Sequence, residues 1–218
     1  MELKENHILI GLGGTGGKIL KAFRKRMFQE YSAEKRAMLP IGYLYVDSSN
    51  EMMESGDTTW RVLGKDACFD NREFVFIKGV TPAQVLQNPS GYPGLKGFIG
   101  DPEVMAKSLG EVGAAAAQKR RAGRILFASS IQAYKSALLQ QFNKVNSISD
   151  VIAQTRMIPQ FQKGLSPDGK SGTNIVVYCM VPEMTPPGTC DAGRYHANGY
   201  AALTELNALL VNKYKPHD

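Results

Sequence analysis

The stretch ILIGLGGTGGKIL, residues 8–20, decides the fold. HILIGL, residues 7–12, is short, apolar and ends on the approach to glycine, so it reads as a buried strand. From Thr15 the apolar period changes. Ile19, Leu20, Phe23, Met27 and Tyr31 mark one helical face, while Lys18, Lys21, Arg24, Lys25 and Arg26 populate much of the rest. Between the two periods stand five glycines in the seven positions from Gly11 to Gly17. LPIGYLYVD, residues 39–47, is a second buried strand and ends on an acid. Strand, glycine turn, helix and strand make a βαβ unit, which predicts parallel pairing and a right-handed crossover.

Gly11, Gly13 and Gly16 satisfy GxGxxG, and Gly17 adds one more. Glycine lets the backbone turn sharply and approach an anion closely, and the start of a helix offers unpaired N–H donors at the positive end of its dipole. The bare pattern is weak, but its place between a strand and an amphipathic helix strengthens it. The bland alternative is a tight strand-to-helix turn with no ligand. A dinucleotide fold wants an acid roughly 20 residues past the loop to bind ribose. Asp47 lies 31 residues after Gly16 and serves only if the first helix and its connection are long. The P-loop pattern GxxxxGK[ST] is absent: Lys18 follows the glycines, but no Ser or Thr follows it.

The rest of the chain reads as follows. EFVFIKGV (73–80) is a candidate third strand, and NPSGYPGLKGFIGDPEV (88–104), with four glycines and three prolines, is an extended loop. GEVGAAAAQKRRAGR (110–124) is small and basic. Residues 125–157 look helical for most of their length, TNIVVYCMVPE (173–183) is a clear buried strand, and MTPPGTCDAGR (184–194) is a loop. YHANGYAALTELNALLVNKY (195–214) reads as a helix with Tyr200, Leu203, Leu206 and Leu210 on one face and Asp191 as a candidate N-cap. An α/β pattern wants a strand between SIQAYKSALLQQFNKV and SDVIAQTRMIPQF, and none is there. A segment of the native chain is therefore expected to be missing near Asn146–Ser149.

The bulk numbers bound the answer. The 218 residues, 43% of them hydrophobic, suffice for one good core, and no linker or internal repeat divides them, so one domain is expected. A formal charge of +6 suits an anionic ligand but is too weak to argue for nucleic acid. Cys68, Cys179 and Cys190 form no CxxC pair and leave an odd count, which argues against a disulfide framework or a zinc site and for a reducing compartment. No apolar run approaches the ~18 residues of a membrane span, and the polar start MELKEN has no signal-peptide core, so a cytoplasmic protein is expected.

GLGGTGGK after a strand resembles the first glycine loop of the tubulin/FtsZ superfamily, and the chain is more closely similar to its bacterial tubulin-like branch, whose members are usually much longer. YLYVDSSNEMM resembles the next strand and its acid-containing loop, which serves ribose, phosphate and Mg²⁺. VVYCMVPEMTPPGTCDAGRYHANGYAALTELNALL resembles the strand, ribose-contacting loop and helix that meet the nucleoside, and GAAAAQKRRAGR looks like a phosphate-side loop of the tubulin-like branch. The superfamily's second glycine loop, GGGTGSG-like, is not in this sequence, and its expected place is just before SDVIAQTRM. The long central helix with its base-stacking aromatic and the acidic loop that completes hydrolysis on a neighbouring subunit are also not here.

The resemblance implies a Rossmann-like parallel sheet flanked by helices, of the tubulin/FtsZ GTPase type. It implies a GTP or GDP half-site, Mg²⁺ with the nucleotide, and assembly into a homo-oligomer or filament or onto other domains of a longer chain. Hydrolysis is left open, because nothing in the chain clearly offers the activating acid. Gly11, Gly13, Gly14, Thr15 and Gly16 would present N–H groups to phosphate, with a hydroxyl from Thr15. Lys18 either neutralises a phosphate or points to solvent, and Asp47 either binds ribose or a Mg²⁺-bound water or caps a turn. Arg120, Arg121 and Arg124 either reach phosphate or form a solvated basic face. Asp191 and Arg194 resemble the nucleoside-contacting pair at altered spacing, Asn198 is a further candidate, and His196 reads as a helix-surface residue. Two other readings stay open. One is an NAD(P)- or FAD-binding Rossmann oxidoreductase resting on GxGxxG and Asp47; the other is a non-catalytic scaffold with a vestigial pocket.

Overall fold

The computed structural model describes residues 6–54, 56–77, 80–92, 95, 99–110, 116, 119–156, 197, 200, 201 and 204. Strand β1 (His7–Leu12) runs without a spacer into helix α1 (Gly13–Glu30). The short helix α2 (Ala33–Ala37) follows, started by the Ser32 side chain, which accepts from the Lys35 amide. Strand β2 (Ile41–Asp47) comes next, then a two-stranded antiparallel ribbon of β3 (Arg61–Val62) and β4 (Lys65–Asp66), and strand β5 (Phe74–Phe76). Helices α3 (Pro82–Gln87), α4 (Pro102–Leu109), α5 (Arg120–Ser129) and α6 (Ile131–Arg156) complete the described elements.

The sheet order is β1-β2-β5 and all pairs are parallel. Register runs from His7 opposite Ile41 to Leu12 opposite Val46, and from Tyr45 opposite Phe74 to Asp47 opposite Phe76. The central strand β2 is buried over its first six residues, as expected of a parallel strand covered on both faces. One face packs under α1, where Leu20, Tyr43, Tyr45, Trp60 and Phe69 form a cluster. On the other face Leu44, Val46, Val75 and Ile77 meet Leu126 of α5 and Tyr134, Ala137 and Leu138 of α6. A third cluster gathers α3, α4 and α5 around Val85, Leu95, Met105 and Ile125. The architecture is therefore an α/β parallel sheet flanked by helices.

Local chemistry explains the element ends. Thr81 and Gln84 form a capping box with Pro82 in the first turn of α3, and Asp101 caps α4, which stops at Gly110 with φ of 61°. The stretch expected to be helical over 125–157 divides at Ser130 into α5 and α6, and α6 runs through residues 146–149 as helix. Of the helix expected over 195–214, Ala197, Tyr200, Ala201 and Thr204 are described and are helical. The strand expected at 173–183 and the loop at 184–194 lie outside the described residues.

Three expectations need correction. The first strand is not buried: Ile10 and Leu12 are 41% and 64% exposed. Among the described residues β1 pairs with β2 alone and so forms an edge. For the same reason Ile19 and Phe23, expected on the core face of α1, are 49% and 40% exposed, whereas Leu20 is buried. The loop expected over 88–104 is also partly ordered: a 3-10 turn occupies Pro89–Gly91, and α4 starts at Pro102.

Candidate functional site

The glycine turn stands at the carboxyl edge of the sheet. Gly13 opens α1 with φ of +67°, a left-handed conformation that side-chain-bearing residues rarely adopt. Gly11 and Gly16 meet face to face. A Cβ on Gly11 would lie 2.7 Å from the Gly16 carbonyl oxygen, and one on Gly16 would lie 2.8 Å from the Gly11 carbonyl carbon. These two glycines let the helix close onto the strand it follows. Gly17 does the same against β2, since a Cβ there would lie 2.6 Å from the Tyr45 ring.

Gly13 and Gly14 face the other way. Nothing lies within 4 Å of where their Cβ atoms would be, and Gly14 and Thr15 are exposed. The N-cap residue Leu12 makes no side-chain capping bond, and the first turn of α1 holds no acid. The first amides of a helix have no intrahelical partner and carry the positive end of its dipole. A phosphate fits this turn: the space beside the amides is open and no carboxylate competes for them.

Asp47 borders the turn. Leu12 and Val46 are register partners, so Gly13, the first residue of α1, and Asp47, the last of β2, each follow directly on a paired residue at the same end of the two strands. The carboxylate is held at both oxygens. The Tyr45 hydroxyl donates to Oδ2 at 2.6 Å, and the Ser49 amide donates to Oδ1 at 3.1 Å. Burial and the bond to Asp47 raise the Tyr45 phenol above its ordinary range, so the phenol stays a donor. Tyr45 therefore joins the glycine turn to the acid, touching Gly17 with its ring and Asp47 with its hydroxyl.

The segment after Asp47 ties the turn to its surroundings. The Met52 sulfur lies 2.9 Å from where a Cβ on Gly17 would stand, and the Met52 carbonyl accepts the Trp60 indole N–H at 2.8 Å. Lys21 of α1 bonds Asp57 at 3.1 Å and sits 4.5 Å from the Trp60 ring centre. Ser48 Oγ accepts the Ala116 amide at 3.0 Å, which brings the chain before α5 to the same edge of the sheet.

The sequence-derived candidates thus divide. Gly11, Gly13, Gly14, Thr15, Gly16 and Asp47 come together. Lys18 is exposed on the second turn of α1. Arg124 lies on α5 with Gly123, whose Cβ position is 3.6 Å from Ala116 Cβ. Arg120 and Arg121 instead line an open cavity of about 460 Å³ against Asp101, Val104, Met105 and Ser108. Asp191, Arg194, His196 and Asn198 lie outside the described residues. Sequence reasoning missed Tyr45 and Ser48. The signal for Tyr45 was its two-residue spacing from Asp47, which puts both on one face of a strand.

Other chemistry is limited. Among the described residues no group of three or more His, Cys, Asp or Glu is arranged to hold a metal. No helix among the described residues is long and apolar enough to cross a membrane. No curated protein and no solved structure matches the chain. The model of the family described as "Tubulin like" matches residues 8–166, the span that holds the glycine turn, Asp47 and all of the described parallel sheet but His7. A match over that much of its length shows that the chain belongs to the tubulin-like family.

Proposed function

We propose that this domain binds a guanine nucleotide, GTP or GDP with Mg²⁺, and couples its binding to self-assembly or to assembly with other domains of a longer bacterial, cytoplasmic protein. The observation that carries the reading is the open, uncapped first turn of α1 at Gly13–Gly14, one strand from Asp47. The amides of Gly13, Gly14, Thr15 and Gly16 receive phosphate oxygens, and the Thr15 hydroxyl adds a further donor. Asp47, oriented by Tyr45 and Ser49, accepts from ribose or from a water on Mg²⁺. Lys18 and Arg124 supply positive charge, and Asp191, Arg194 and Asn198 are the proposed nucleoside contacts. Bound Mg²⁺ neutralises phosphate charge and orients the chain of phosphates.

The reading includes a single domain over 1–218 with a native segment missing near 146–149. Its support is the sequence pattern, which lacks the strand an α/β order calls for between SIQAYKSALLQQFNKV and SDVIAQTRMIPQF. The length of the native reading frame tests it. Hydrolysis is not part of the proposal.

Thermal unfolding with GTP, GDP, ATP or NAD tests the nucleotide. Guanine nucleotides at a hundredfold excess over Kd are expected to stabilise by about 2.7 kcal/mol. Protection by adenine or nicotinamide nucleotides alone would favour the dinucleotide oxidoreductase, whose support is the acid at the end of β2. No protection by any of them would leave a scaffold.

A further inference from the structure

Building on the self-assembly proposed above, on which this inference rests, we propose that Leu63, at the tip of the β3–β4 ribbon, seats in the open cavity between α4 and α5 of a second copy of the chain. Val62 and Lys65 pair across the ribbon, so Leu63 and Gly64 make a two-residue turn. Leu63 has φ of 49° and Gly64 φ of 76°. Two positive φ values in such a turn favour Asn-Gly, because asparagine tolerates the left-handed region and a bulky residue does not. Among the described residues Leu63 is the sole non-glycine with a positive φ. Its side chain gains no burial in return, since it is 78% exposed. Strain and exposure together point to a contact outside its own chain.

The ribbon beneath the tip is anchored. Trp60 and Val62 are buried in the cluster under α1, Lys21 bonds Asp57 at 3.1 Å, and Lys25 donates to the Thr59 carbonyl at 2.9 Å. The leucine is therefore presented in a fixed position, which lowers the ordering cost of docking.

The receiving cavity, of about 460 Å³, has an apolar floor from Ile99 and Met105, and Val104 stands beside them 62% exposed. Its size and lining suit an apolar side chain. Its rim carries both signs, with Asp101 at the start of α4 and Arg121 exposed on α5. Beside the tip, Lys65 and Asp66 are exposed and carry both signs as well. Lys65 toward Asp101 and Asp66 toward Arg121 make two pairs of opposite charge around the seated leucine.

The occupant is a second copy because tip and cavity lie on opposite sides of the sheet. The ribbon packs with α1 on one face, through Trp60 and Val62. Helix α5 packs on the other through Leu126, and α4 packs on α5. A tip on one side and a socket on the other cannot meet within one molecule, and between molecules they join copies head to tail.

Sedimentation velocity of the full chain over a range of concentrations tests this, with GTP affinity measured on the same samples. Leu63→Asn relieves the strain, so it should unfold at the same or a higher temperature while its self-association weakens at least about tenfold. Val104→Glu changes an exposed position and should likewise keep its stability and weaken association. Mixed in equal amounts, the two variants restore one contact: the intact tip of Val104→Glu enters the intact cavity of Leu63→Asn, and heterodimers form. Undiminished association of Leu63→Asn overturns the docking and leaves assembly standing. A mixture that associates no better than either variant alone also overturns the docking. An unmodified chain that stays monomeric at every concentration overturns docking and assembly together. GTP affinity should be equal in all three chains, so nucleotide binding stands or falls separately.

Discussion

Gly17 of α1 lies so close to Tyr45 of β2 that one added methyl carbon would stand 2.6 Å from Cε2 of the ring. The ring cannot swing aside freely, because its hydroxyl is bonded to Asp47 at 2.6 Å. The contact sets the height of α1 over the sheet and the orientation of the acid at once.

Gly17→Ala is therefore expected to lower stability despite the better helix propensity of alanine. Overpacking costs about 1–3 kcal/mol and propensity returns up to about 1 kcal/mol, so a net loss of about 1–2 kcal/mol is expected. Urea denaturation followed by Trp60 emission measures it, since Trp60 is the sole tryptophan and is buried.

Gly14→Ala separates binding from folding. The site has open space and an ordinary backbone conformation, so stability should hold or rise by up to about 1 kcal/mol. The methyl group would intrude between the amides and a phosphate. GTP affinity should fall by at least about tenfold, or 1.4 kcal/mol, in calorimetry. Undiminished affinity would show that phosphate sits elsewhere.

Acid should loosen the ribbon beside α1. Hydrogen bonds from the Thr59 side chain and amide, and then from Lys21, hold Asp57 down at about 2 against an ordinary 3.8. A depressed carboxyl contributes stability above its unfolded value and loses it as pH falls through the folded one. Asp57→Asn should thus be less stable than the unmodified chain at pH 5. The gap should close as pH drops from about 4 to about 2, as read by denaturation at each pH.

Alkali acts through the tyrosines of β2. Burial pushes Tyr43 up to about 12 from 10.0, and Tyr45 is raised as well. A raised phenol contributes stability that is full below its unfolded value and is lost as pH climbs through the folded one. Stability should fall between pH 10 and about 12, and Tyr43→Phe should flatten that fall. Phenolate absorbance should show both tyrosines ionising only as the fold is lost.

A buried charge joins the two helical layers. Glu73, 3% exposed, takes Arg24 of α1 at 2.9 Å and Lys144 of α6 at 3.0 Å. Arg24 also lies over the rings of Tyr43 and Phe69, 4.9 and 5.1 Å from their centres. Glu73→Gln strands Arg24 without its counter-charge and should cost about 3 kcal/mol. Glu73→Gln with Arg24→Met should cost less than the two changes summed, measured as a double-mutant cycle.

Much of this was legible in residues 7–47. The strand HILIGL matched β1 at both ends, and the switch from strand to helix period marked α1 within two residues. These are local properties: side-chain spacing and glycine's backbone freedom act over a few residues. The ribbon of β3 and β4 was not legible, because two-residue strands leave no period to read. The sequence suggested that Arg120, Arg121 and Arg124 act together, but the first two line a cavity against α4. Arg124 stands four residues from Arg120 and three from Arg121, so helical spacing alone does not separate them, and only packing tells which of them meets α4.

The amino-acid order by itself determined the βαβ start, the parallel sheet and the placing of glycines before a helix. Each follows from backbone geometry and from apolar period. Tertiary structure decided which glycines serve packing and which stay open. Gly11, Gly16 and Gly17 face other parts of the chain, whereas Gly13 and Gly14 face open space. That division depends on what lies across the gap, and for Gly17 it is Tyr45 and Met52, from well beyond the helix, that supply it.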